Sequence, residues 1–83
     1  MKSVTVNNLT FNVGNIIKYK YKNKNNNGSD CFFVVLLIQI LNDGKRFRSL
    51  VLYDEASVFS EKPGSIVATY FINFTTDNTE IIA

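Results

Sequence analysis

Histidine is missing from all 83 residues, and with it the commonest general base and metal ligand. The single cysteine, Cys31, excludes an internal disulfide and suits a reducing compartment. It has no histidine to activate it, and it opens an apolar run where a thiol packs as a small inert hydrophobe. Asp54 and Glu55 form the only adjacent carboxylate pair, and sequence neighbours do not aim two side chains at one substrate bond. No glycine-rich phosphate cradle, nucleophile elbow or ligand-spaced cluster is present. These absences point away from catalysis, from a bound metal or cofactor and from a small-molecule substrate. No window of twelve or more residues has helical periodicity. The longest apolar run, residues 31–41, is too short for the roughly 20 residues that span a bilayer as a helix. The opening MKSVTVNNLTF carries one lysine and no apolar stretch, unlike a signal peptide.

What is present repeats every second residue. In Ile16-Ile17-Lys18-Tyr19-Lys20-Tyr21-Lys22 the tyrosines face one way and the lysines the other, which reads as a half-buried strand. A polar stretch, 22–30, reads as a surface loop. The run CFFVVLLIQIL (31–41) then meets Asn42-Asp43-Gly44 and a second apolar segment, 46–53. Asp-Gly between two such runs predicts an antiparallel hairpin. Residues 54–65 leave the sheet, with room for one helical turn before Pro63-Gly64 turns the chain back. Ile66–Phe74 reads as a further strand and Thr79–Ile82 as a short edge strand, while Ser3–Val6 is a short opening segment. With 83 residues and one core, the expectation is a single all-β domain: a small antiparallel barrel or sandwich of about five strands, with surface loops at 22–30 and 54–65.

The stretch Phe11-Asn12-Val13-Gly14-Asn15-Ile16-Ile17-Lys18-Tyr19 resembles the opening of many SH3-like barrels, where a hydrophobic-x-Val-Gly-Asp-x-Val phrase leads into the first strand. Asn15 stands where those families usually carry aspartate. The later loop, hairpin and returning strand are similar to the same layout over about residues 9–75, and the resemblance implies an SH3-like fold without naming a function.

Within 31–41, ten of eleven residues are apolar. Phe33, Val35, Leu37, Gln39 and Leu41 share one side of a regular strand, and Phe32, Val34, Leu36, Ile38 and Ile40 the other. One side serves the core. The second either lies under the segments 1–15 and 54–65, with Leu9, Phe11, Val58 and Phe59 as plugs, or forms an interface with another protein. For the interface, the predicted contact residues are Phe32, Val34, Leu36, Ile38 and Ile40, or those of the alternate register, with a homodimer as the first partner considered.

Charge supplies the competing reading. Residues 1–49 hold eight Lys/Arg against Asp30 and Asp43, a balance of +6, while 50–83 hold Lys62 against five carboxylates, a balance of −4. Lys18, Lys20, Lys22 and Lys24, together with Lys45, Arg46 and Arg48, are the candidates for a nucleic-acid-binding stripe. The plain alternative is a solvated strand face whose lysines discourage edge pairing. Asn, Lys, Ile, Tyr and Phe make up 37 of the 83 residues, a bias that A/T-rich codons alone produce. Eleven asparagines likewise account for the glycosylation triplets at Asn8, Asn27 and Asn73. The expected function is a non-catalytic protein-binding module that self-associates in the cytoplasm. Its size and composition are similar to bacteriophage accessory proteins, many of which bind and inhibit a host factor.

Overall fold

Period-two patterning becomes seven strands in a computed structural model that describes residues 2–23, 29–55 and 63–83. They are β1 (Ser3–Val6), β2 (Leu9–Asn12), β3 (Ile16–Asn23), β4 (Ser29–Ile40), β5 (Arg46–Asp54), β6 (Ile66–Tyr70) and β7 (Thr79–Ile81). The last five form one antiparallel sheet in the order β6-β5-β4-β3-β7, and β1 and β2 form a separate hairpin. The fold is all-β, as expected. Among the described residues no ladder joins the edge strands β6 and β7, so the large sheet is open.

The turns follow from their residues. Asn7 and Asn8 take φ of 53° and 64° between β1 and β2. Two consecutive positive φ values are what a two-residue hairpin loop needs to match strand twist, and asparagine tolerates them best after glycine. The Asn7 side chain also donates to the carbonyls of Ile72 and Phe74, at 3.1 and 2.9 Å, and so ties the hairpin to the chain after β6. Between β4 and β5 the predicted Asp-Gly turn forms. Gly44 sits at φ 66°, and the Asp43 carboxylate accepts the backbone N–H groups of Lys45 and Arg46.

One face of the sheet makes the core. Phe33, Val35 and Leu37 of β4, Ile17 of β3, and Phe47 and Val51 of β5 are buried there with Phe11, Phe71 and Phe74. The β1–β2 hairpin covers this inner face through Phe11, Val4, Val6 and Leu9. Leu9 and Phe11 thus pack into the core on the Phe33 side, and do not cover the second face of β4 as the covering alternative expected. The aromatic rings interlock: Phe47 and Phe71 are 4.4 Å apart by centroid, Phe11 and Phe71 4.9 Å, and Tyr19 and Phe33 4.8 Å. Such pairs add about 0.5–1.5 kcal/mol each beyond the area they bury.

Several boundaries differ from the sequence reading. The strand predicted over 66–74 stops at Tyr70, and Phe71–Asn73 make a 3-10 turn. Phe71 and Phe74 both reach the core, which a flat strand does not allow for residues three apart. Strands β3 and β4 extend into the predicted 22–30 loop, through Asn23 and from Ser29, and Asp54 belongs to β5. The predicted helical turn and the plugs Val58 and Phe59 lie outside the described residues.

Candidate protein-binding face

The second face of the sheet is built by two irregularities in its central ladder. Register shifts fall between Val34 and Val35 and between Leu37 and Gln39. At the first, β5 gains a residue: Val34 pairs with Tyr53 and Val35 with Val51, which leaves Leu52 extra. At the second, Leu37 pairs with Ser49 and Gln39 with Arg48, which leaves Ile38 extra. A bulge puts two successive side chains on one side of a strand. Leu52 and Tyr53 are therefore both exposed, and so are Ile38 and Gln39.

The second bulge corrects one predicted contact. Ile40 is only 2% exposed and belongs to the core beside Phe47, its pairing partner. Simple alternation placed it with Phe32, Val34, Leu36 and Ile38, but the extra residue inverts the parity beyond Leu37. Gln39 moves outward for the same reason. The other four predicted residues do share the outer face: Phe32, Val34 and Leu36 are half-buried, and Ile38 is 36% exposed.

Other strands enlarge this face in a way that no single segment reveals. Ile66 pairs with Leu50, Leu50 with Leu36, and Leu36 with Ile16. The Ile82 amide donates to the Ile16 carbonyl at 2.8 Å and sets Ile82 beside it. One apolar row thus crosses β6, β5, β4 and β3 and ends on the residue just after β7, about 19 Å at the usual strand spacing. Its ends are the most open, Ile66 at 60% and Ile82 at 53%. The neighbouring row carries Tyr53, Val34 and Lys18, and the next Glu55, Phe32 and Lys20. The Phe32 and Tyr53 rings are tilted by 33° with centroids 5.1 Å apart, and the Lys18 ammonium lies 4.5 Å from the Phe32 ring centroid. Between the two ends of the apolar row, Ile16, Leu36 and Leu50 are half-buried.

The basic candidates separate into two groups. Lys18, Lys20 and Lys22 lie along β3, on the outer face beside Val34, Phe32 and Asp30. Arg46 and Arg48 lie toward the opposite end of the sheet, against Tyr70, Ala68 and Gln39. Lys45 is in the turn, and Lys24 lies outside the described residues. The apolar row runs between the two groups, so they do not form one stripe. Lys22 pairs with Asp30, and Arg46 with Asp43 at 2.9 Å. The Lys22 hydrogen bond and charge hold the Asp30 carboxyl below its ordinary pKa. The Lys45 amide, and then Arg46, do the same for Asp43. Tyr19 and Tyr21 turn inward with Phe33, away from any stacking role on this face.

Cys31 is buried. Among the described residues no group of three or more Cys, Asp and Glu is placed to hold a metal ion, and no helix is long and apolar enough to cross a membrane. No family model, curated protein or solved structure matches this chain.

Proposed function

We propose that this chain is a non-catalytic protein-binding module that pairs with a second copy through the outer face of its large sheet. The observation that carries the reading is the apolar row from Ile66 to Ile82, together with the charges beside it. Lys20 and Glu55 flank Phe32 on opposite sides: Lys20 pairs with it across β3, and the Glu55 carboxylate accepts its amide at 3.2 Å. Two sheets stacked face to face lie about 10 Å apart with strands within about 30°. A twofold axis along β4 then sets β3 over β5 of the second copy, and β7 over β6. Lys20 meets Glu55, Lys18 meets the Tyr53 ring, Ile16 meets Leu50 and Ile82 meets Ile66. Each contact is repeated by symmetry.

Charge reversal tests this arrangement. Lys20→Glu and Glu55→Lys each place like charges opposite one another twice per dimer, and each weakens dimerisation about tenfold. The double variant restores the attraction, so its dissociation constant by sedimentation equilibrium returns toward that of the parent. A double variant no tighter than the single ones contradicts the twofold.

The Phe11–Tyr19 phrase and the run of antiparallel strands support placing the domain among SH3-like folds. The phage-like composition adds a second part to the proposal, a host factor bound and blocked by the same module.

A further inference from the structure

Strand β6 is an edge of the large sheet, and among the described residues it pairs only with β5. Natural edges are usually guarded by charge, proline or a bulge. Ile66-Val67-Ala68-Thr69-Tyr70 has none of these. Its hydrogen-bond direction follows from its ladder. Phe71 donates its amide to the Lys45 carbonyl, and the Ser65 carbonyl accepts the Val51 amide. In an antiparallel ladder residues alternate between bonded and non-bonded pairs. Ser65, Val67, Thr69 and Phe71 therefore face β5, and Ile66, Ala68 and Tyr70 direct their N–H and C=O groups away from the sheet.

The 3-10 turn then carries the chain away from this edge. Beside the end of β6 lies a groove of about 420 Å³ whose walls include Val6, Gly44, Lys45, Tyr70 and Ile72. Its lining is mostly apolar, and Ile72 is the most exposed large apolar side chain described, at 72%. Lys45 makes no ion pair among the described residues. An open edge, an apolar groove at its end and an uncommitted cation together have the form of a strand-addition site.

We propose that the β6 edge takes an extended segment of a partner protein as a further strand of the sheet. One large apolar side chain of that segment enters the groove, and a nearby carboxylate pairs with Lys45. This site uses the backbone edge of β6, whereas the dimer uses its outer face; Ile66 belongs to both, and the strand addition does not require the chain to dimerise.

The test is selection of a random seven-residue peptide library on the full chain, followed by anisotropy titration of the recovered peptides. The expected peptides carry an aromatic or large aliphatic residue near an acidic one. Ala68→Pro removes one outward N–H and no bond to β5, and it weakens their binding tenfold or more. Lys45→Glu shifts the selected sequences from acidic to basic. N-methylation of alternate peptide amides abolishes binding, a readout that stands even where Ala68→Pro fails to fold. The proposal is overturned if no sequence is enriched, or if the peptides bind the Ala68→Pro chain equally well. It is also overturned if Ala68→Pro splits a dimer, since the edge is then occupied by β6 of a second copy.

Discussion

Ile38 and Ile40 are chemically identical and two residues apart, so regular alternation gives them one environment. The bulge at Ile38 gives them two. Ile40 is 2% exposed within the aromatic core, whereas Ile38 is 36% exposed on the outer face. Truncating a fully packed isoleucine to alanine removes its transfer free energy and leaves a cavity, at a cost of about 2–5 kcal/mol. The neighbours of Ile40 include Phe47 in the closed inner layer, so collapse is restricted and a cost of about 3 kcal/mol is expected for Ile40→Ala. Ile38→Ala keeps the bulge backbone and loses a partly solvated side chain, and about 1 kcal/mol is expected. For a domain of this size the two variants then differ in melting temperature by roughly 8–16 °C. Urea denaturation of both, at a concentration low enough to suppress association, measures the difference. Equal losses, or a larger loss at Ile38, contradict the bulged register and the outer face built on it.

Three further outcomes follow from local chemistry. The Ser49 hydroxyl is buried and has no hydrogen-bond partner among the described residues; Ser49→Ala stabilises the fold by about 1 kcal/mol, seen as a higher urea midpoint. Asn7→Ala removes both side-chain bonds to the 72 and 74 carbonyls and forces alanine to positive φ, so a loss of about 2 kcal/mol is expected by the same assay. Asp43 is held below its ordinary pKa, so its contribution to stability is present above the unfolded-state value and is lost as pH falls through the depressed one. Carboxyl NMR titration therefore finds Asp43 titrating below the unperturbed aspartate range, and Asp43→Asn flattens the acid limb of stability against pH.

Much of the framework was legible because local chemistry determines it. The Lys-Tyr alternation of β3 shows its two faces, and Asp43-Gly44 marks its hairpin. The β1–β2 hairpin went unread although Val4-Thr5-Val6 and Leu9-Thr10-Phe11 both alternate around Asn7-Asn8, a usable hairpin signal. The bulge at Ile38 left one mark that went unused: regular alternation puts Gln39, the single polar residue of the run, on the core side, and only a change of parity turns it outward. Phe71 and Phe74, three apart, carry the spacing of a tight helical turn, but the β-branched run before them hides it. The row from Ile66 to Ile82 crosses four strands and ends just after β7, and only the register between them brings it together. For the same reason sequence spacing suggested one basic stripe where the sheet holds two groups.

The mass of the chain in solution bears most directly on the paired outer face. Light scattering coupled to size exclusion is expected to give two chains per particle for the parent and one for Leu36→Asp, with the strand circular-dichroism signal retained in both. A parent that remains a single chain at high micromolar concentration contradicts the account. So does a Leu36→Asp variant that stays dimeric, or one that unfolds because Leu36 belongs to the core.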